Sequence, residues 1–190
     1  MKINTIVFSF GRVNPPTAGH EVLAEKILAV ANAIGEDSVA THLFISHKHG
    51  HRDNPLTPEQ RIEYWRDAFR YDEYIANLIE YNETAKCVIS AVEVLRARYP
   101  KAKNLVFVGG DDTAANIGER IRAVNNAGTA DFRFQGIFDV SVVRGKYGVS
   151  GTMVREMIRE GWNPESVGLF TAGIPTKEAL SALQQRVINF

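Results

Sequence analysis

The sequence predicts an α/β fold whose sheet is mainly parallel. Three observations predict it. Short β-rich apolar runs alternate with stretches of 3.6-residue periodicity, each connection is long enough for a crossover, and polar glycine-bearing segments fall where the strands end. The first run, Ile6 to Phe10, stops at Gly11 and passes into the turn Asn14-Pro15-Pro16. Thr17 is then placed to cap a helix of about four turns that ends at Gly35, with Val22, Leu23, Ile27, Val30, Ala31 and Ile34 on one face. Val39 to Ile45 alternates as a second strand, and a polar stretch from His47 to Asn54 leads to Pro55. Thr57-Pro58-Glu59-Gln60 supplies a cap, a first-turn proline and a capping-box glutamine for a helix carrying Ile62, Trp65 and Phe69. Asp67 to Glu83, rich in tyrosine and acid, reads as a helical hairpin or a surface excursion. Val88, Val92 and Leu95 restore helical periodicity up to Tyr99-Pro100, and Leu105 to Val108 is an apolar run suited to a strand buried on both faces. Gly109-Gly110-Asp111-Asp112 closes that strand before another helix. Phe138 to Val143 is a further strand that leads through Gly145 and Gly148 to a helix from Met153 to Glu160, and a helical tail follows Gly173.

At 190 residues, with no low-complexity linker or composition break, the chain reads as one domain, a core over 1–160 and a helical extension over 161–190. Its 22 basic side chains equal its 22 acidic ones, which argues against a dedicated duplex-DNA binder and leaves a small anionic substrate open. No run of about 18 apolar residues occurs and the first apolar run is too short for a secretory signal, so the expectation is a cytoplasmic protein with no membrane partner. The single cysteine, Cys87, beside Val88 and Ile89, reads as a small core residue.

In a sheet of this kind ligands bind beyond the carboxyl ends of the strands. Gly11 to His20, Gly109 to Asp112 and Val149 to Arg155 fall at such ends, and the first and third run directly into helices. Helix N-termini offer unpaired N–H groups and partial positive charge, so two of them facing one crevice make an anion site. Thr17 and Ser150 are the expected caps, with Arg12, His20 and Arg155 as added donors. The pattern is neither a Walker A loop nor a GxGxxG fingerprint.

Gly11-Arg12-Val13-Asn14-Pro15-Pro16-Thr17-Ala18-Gly19-His20 resembles the first signature of the nucleotidylyltransferase superfamily, GxxxPx(H/T)xGH. Val149-Ser150-Gly151-Thr152-Met153-Val154-Arg155 resembles its second, (I/V)SxTxxR. Asn54-Pro55-Leu56-Thr57 followed by Arg61 is similar to a segment of nicotinamide mononucleotide adenylyltransferases, and Gly110-Asp111 to their GxD strand end. The mix looks most like small nucleotidylyltransferase-like proteins of bacteriophages, which would place the chain in a host cytoplasm. The resemblance implies a Rossmann-like doubly wound sheet of about five strands with helices on both faces. It also implies transfer of a nucleoside monophosphate from ATP or CTP to an acceptor phosphate, with magnesium held through the triphosphate. His20 would then donate to the α-phosphate, with Thr17 standing where relatives often carry histidine. Ser150, Thr152 and Arg155 would hold the outer phosphates. Phe10, Gly11, Arg12, Gly19, Gly109, Gly110, Asp111 and Val149 would line the nucleotide. Arg12, Asn54, Thr57 and Arg61 would meet the acceptor, Arg12 and Arg61 at two mouths of the crevice.

Plainer roles stand beside these. Ser150, Thr152 and Asp111 could simply cap helices, and Trp65, Phe69 and Ile62 read as core before they read as a base-stacking box. His47, His49 and His51 alternate on a loop with no fixed ligand geometry, so a zinc site held by the protein is not expected. That loop reads as solvated or, functionally, as a lip over the phosphates with Lys48 and Arg52. Tyr71, Tyr74 and Tyr81 suit either a surface or a subunit interface, so a homo-oligomer is left open. Charge is uneven along the chain. Residues 144–160 carry four basic against two acidic side chains, and residues 67–83 one basic against five acidic.

Three enzyme readings follow, all requiring small nucleotides and none nucleic acid: adenylyl transfer to nicotinamide mononucleotide, cytidylyl transfer to a polyol or choline phosphate, and adenylyl transfer to phosphopantetheine. A nucleotide-binding module without turnover is the reading from another class.

Overall fold

The computed structural model describes residues 2–35, 38–143, 149–163 and 177–189. Five strands form one parallel sheet: β1 (Thr5–Gly11), β2 (Val39–Ile45), β3 (Ile79–Glu80), β4 (Asn104–Gly110) and β5 (Gly136–Val142), in the order β3-β2-β1-β4-β5. Seven helices accompany them among the described residues. They are α1 (Ala18–Ile34), α2 (Pro58–Ala68), α3 (Glu73–Leu78), α4 (Val88–Arg98), α5 (Ala114–Ala127), α6 (Gly151–Arg159) and α7 (Lys177–Ile188).

Strand side chains alternate between two apolar layers, as period 2 requires. Val7, Leu43, Ile45, Val106 and Val108 pack with Ala24, Ile27 and Ala31 of α1 and with Trp65, Phe69, Ile75 and Leu78 from α2, its C-terminal turn and α3. Ile6, Phe8, Phe44, Leu105 and Phe107 pack on the opposite face with Val88, Val92 and Leu95 of α4 and Ile121 of α5. Helices therefore cover both faces. A third, smaller cluster joins Val154 and Ile158 of α6 to Leu183 and Val187 of α7, with Leu56 and Val149 from the loops.

The register of the sheet places the crevice. β1 pairs with β4 only from Thr5 to Phe8, whereas its pairing with β2 continues to Gly11. β4 continues beside β5 to Gly110. The two central strands thus part after Phe8 and Phe107, one following each half of the sheet, and leave a gap at their carboxyl ends. That is the switch point of a doubly wound sheet.

Three local expectations are corrected. Cys87 is exposed, because it sits one residue before α4 as its N-terminal cap and leaves burial to Val88. Val22 and Ile34 lie on the exposed side of α1, whose buried stripe is the narrower Ala24, Ile27, Ala31. The ambiguous stretch after Asp67 contains α3 and the edge strand β3, whose Ile79 is buried and whose Glu80 pairs with Arg98 and His42. Two residues carry too little periodicity to announce a strand. Gly145, Gly148, Gly173 and the basic residues Arg144 and Lys146 lie outside the described residues.

Candidate functional site

A cavity of about 190 Å3 occupies the gap between β1 and β4. Its walls come largely from the three expected segments: Phe10, Gly11 and Arg12 at the end of β1, Gly109 and Gly110 at the end of β4, and Val149 to Thr152 with Arg155 at the start of α6. Thr17, Gly19 and His20 at the start of α1 complete it. Among the described residues no carboxylate lines it.

The helix starts are built as their sequences specify. Thr17 caps α1 with extended backbone, and its N–H donates to His20 Nδ1 at 3.1 Å while its hydroxyl lies 2.8 Å from the same nitrogen. A ring nitrogen that accepts from a backbone N–H carries no hydrogen of its own, so in the neutral imidazole the hydrogen is on Nε2. Thr17 is fully buried and thereby orients the ring. At α6 the Ser150 hydroxyl accepts from Met153 N–H at 3.2 Å, the ordinary cap bond. The two helix starts also press on each other's loops. A Cβ on Gly151 would lie 2.7 Å from the Asn14 carbonyl oxygen, and one on Gly19 would lie 3.1 Å from that of Val149. At Gly151 a side chain would force a shift of backbone, and at Gly19 it would need Val149 to give by a few tenths of an ångström.

Arg155 is buried, with its guanidinium donating to the Asn14 carbonyl and, at 3.0 Å, to the Thr152 hydroxyl. Its Nε has no partner among the described residues. Burial first, then the like charges of Arg12 and Arg159, push this guanidinium below its usual range. An anion in the cavity would relieve that excess of positive charge.

Arg61 is placed elsewhere than expected. It is completely buried beneath the loops, not at a mouth of the crevice. Its donors reach three backbone carbonyls, those of Arg12 at 2.7 Å, Ser46 at 2.8 Å and Thr57 at 3.3 Å. Burial depresses its pKa to about 10. Thr57 is the cap of α2, exchanging bonds with Gln60, and lines neither cavity. Asp111 is exposed beside the first cavity, its N–H bonded to the Val142 carbonyl; Thr113 stands on the wall in its place.

Two structural residues went unremarked in the sequence. Asn14 is buried and its carboxamide bonds both backbone groups of Leu56, at 3.2 and 3.3 Å, tying the first loop to the Asn54–Thr57 segment. Val13 has φ of 45°, a left-handed conformation that costs a β-branched residue about 1–3 kcal/mol. Arg61 holds the carbonyl before it and Asn14 the loop after it, so the strain is clamped from both sides. An asparagine before two prolines reads as turn chemistry, and that reading hides the partner 42 residues away.

A second cavity, about 610 Å3, opens beside the first and shares Arg12 with it. His47, Lys48, His49, His51, Asp53 and Asn54 line the rest. The histidine loop is partly anchored: the His47 ring rests on Tyr81 at 5.0 Å between centroids, and its Nε2–H donates to the Glu83 carbonyl at 2.6 Å. Among the described residues no three His, Cys, Asp or Glu side chains are grouped to hold a metal ion, and no helix is long and apolar enough to cross a membrane.

No family model matches the chain, and no curated protein matches it in sequence. Among solved structures it is similar to a protein of Vibrio parahaemolyticus described as a nicotinate-nucleotide adenylyltransferase. The likeness has a TM-score of 0.53, covering 95% of this chain and 99% of that one, at 16% identity. The two share a fold. At that identity the likeness speaks for the α/β architecture over nearly the full chain, and the chemistry rests on the residues.

Proposed function

We propose that this protein is a nucleotidylyltransferase that transfers AMP from ATP to the phosphate of nicotinamide mononucleotide, releasing pyrophosphate and forming NAD. The observation that carries the reading is one cavity walled by two helix N-termini, His20 and the buried Arg155, with no carboxylate among the described residues that line it. A polyphosphate is the ligand such walls favour.

An oxygen of the acceptor phosphate forms a bond to the α-phosphorus while the bond to the bridging oxygen of pyrophosphate breaks, and the electron pair leaves with pyrophosphate. The nucleophile is already ionised at neutral pH, so no general base is required. The protein's work is positioning and charge stabilisation. Nε2–H of His20 is aligned by Thr17 to donate to the α-phosphate. Ser150, Thr152 and Arg155 hold the leaving pyrophosphate, and Gly109 and Gly110 let the nucleotide approach the end of β4. Magnesium, bound through the triphosphate oxygens, would neutralise charge on the phosphates; the described wall, which holds no carboxylate, fits a metal that arrives with the nucleotide. The acceptor occupies the second cavity, across Arg12. The Asn54-Pro55-Leu56-Thr57 segment with Arg61, similar to that of nicotinamide mononucleotide adenylyltransferases, favours ATP as the donor.

The test is pyrophosphate release from ATP and from CTP against a panel of phosphate esters. Release with ATP and nicotinamide mononucleotide is the expected result. Release only with a polyol phosphate, choline phosphate or phosphopantetheine would replace the acceptor and keep the class. Nucleotide binding with no release from any pair would instead favour a binding module.

A further inference from the structure

Arg12 lines both cavities, and Arg155 lines the first. Burial, then the like charges of Arg12 and Arg159, hold the Arg155 guanidinium below its usual range; Asp53 heads the opposing charges, ahead of Glu156. Asp53 is also the one carboxylate among the described residues that line either cavity. Its place is built by two contacts. The Asn54 N–H donates to the His51 carbonyl at 2.8 Å, closing a turn whose two exposed corners are Arg52 and Asp53. Arg159, one helical turn beyond Arg155 on α6, donates to the Arg52 carbonyl and holds that turn against the helix. One helix therefore carries a phosphate donor at the first cavity and fixes an acid at the edge of the second.

We infer that Asp53 is a resident counter-charge for Arg12 and Arg155, held in place by Arg159, and that it keeps the affinity for polyphosphate low enough for pyrophosphate to leave. This rests on the proposed nucleotidylyl transfer and adds a control to it. Before a phosphate arrives, the carboxylate offsets part of the arginine charge. Once a triphosphate enters, it faces an anion of its own sign, and the same repulsion acts on the pyrophosphate that departs. Binding that tightens substrate and product alike does nothing for the chemical step and retards release. An exposed carboxylate is well screened, so its effect is a modest factor that falls with salt.

The experiment measures binding of inorganic pyrophosphate and of ATP by calorimetry at neutral pH, with and without magnesium, at low and at high ionic strength. Asp53→Asn should bind both about threefold to tenfold tighter at low ionic strength and approach the wild type at high. In the transfer assay pyrophosphate should inhibit this variant at correspondingly lower concentration. Asp53→Glu keeps the charge and should keep the wild-type affinity. In an Arg159→Gln background the turn is released, so Asp53→Asn should change affinity by less than it does alone, a coupling that two independent effects would not give. Equal or weaker binding by Asp53→Asn overturns the inference and leaves the transferase standing; binding weakened with magnesium alone would make Asp53 a partner of the metal instead. Additive effects of the two substitutions overturn the part given to Arg159. If neither pyrophosphate nor ATP binds the wild type, the polyphosphate reading of the site falls and the inference with it.

Discussion

At the scale of single residues, the difference between His20 and Arg61 shows how the same kind of side chain can serve chemistry or architecture. His20 has its Nδ1 engaged by the Thr17 cap, which leaves Nε2–H as the donor the ring offers. His20→Ala should lower turnover by more than about 100-fold while nucleotide affinity changes less, measured by steady-state rates and calorimetry. An unchanged rate would remove His20 from the mechanism. Among the described residues the Arg61 side chain gives its hydrogen bonds to backbone carbonyls. Arg61→Met keeps the volume but leaves the Arg12 and Ser46 carbonyls without this donor, while the Thr57 carbonyl keeps the backbone N–H of residue 61, so it should cost about 2 kcal/mol or more in denaturant unfolding. If stability were unaffected, the clamp on Val13 would be misassigned. The role expected of His20 was legible in its motif; the burial of Arg61 was not. An arginine four residues after a cap is as easily a surface charge as a buried brace, and only burial distinguishes them.

Elements bring these residues together through close backbone contact. α1 and α6 start against each other's loops, and the missing Cβ atoms of Gly19 and Gly151 make room. Gly151→Ala would drive a methyl into the Asn14 carbonyl, which is backbone and cannot swing aside. The expected result is a loss of about 1–3 kcal/mol in stability and weakened triphosphate binding, because Arg155 bonds that same carbonyl. Retained affinity and melting temperature would show that α6 has room to shift.

On the outer side of α1 the Tyr71 hydroxyl donates to Glu21 at 2.6 Å, linking the helix to the turn after α2. Burial, then the bond to Glu21, pushes the Tyr71 pKa up to about 12 from 10.0. The folded state therefore keeps a proton that the unfolded chain loses near pH 10. The contribution to stability is fully present below that pH and is lost as pH rises towards 12. Glu21→Gln should bring this tyrosine back towards its ordinary value in an absorbance titration read against Tyr71→Phe. No movement would mean that the contact is absent in solution.

For the whole molecule, the third apolar cluster connects the C-terminal helix to the site. Leu183 packs with Val154, Ile158, Leu56 and Val149; Leu56 is the residue held by Asn14, and Val149 faces Gly19. Leu183→Ala should cost about 2–5 kcal/mol, as should Leu95→Ala on the far face of the sheet. At temperatures where both variants are folded, the first should weaken nucleotide binding and the second should not. Equal effects on binding would mean that α7 supports the fold and not the loops.

The sequence by itself determined the alternation of strands and helices, the helix starts at Thr17, Thr57 and Ser150, and which glycine-bearing segments end strands. These follow from local rules: periodicity, cap chemistry and backbone preference within a few residues of each position. Tertiary structure alone decided that β1 and β4 part after Phe8, that Arg61 lies inside, that Asn14 joins loops 42 residues apart, and that the histidine loop lines an open cavity with Arg12 and Asn54. The physical reason is that burial, charge crowding and orphaned polar atoms are properties of neighbours in space. A pattern read along the chain carries the first kind of information and not the second.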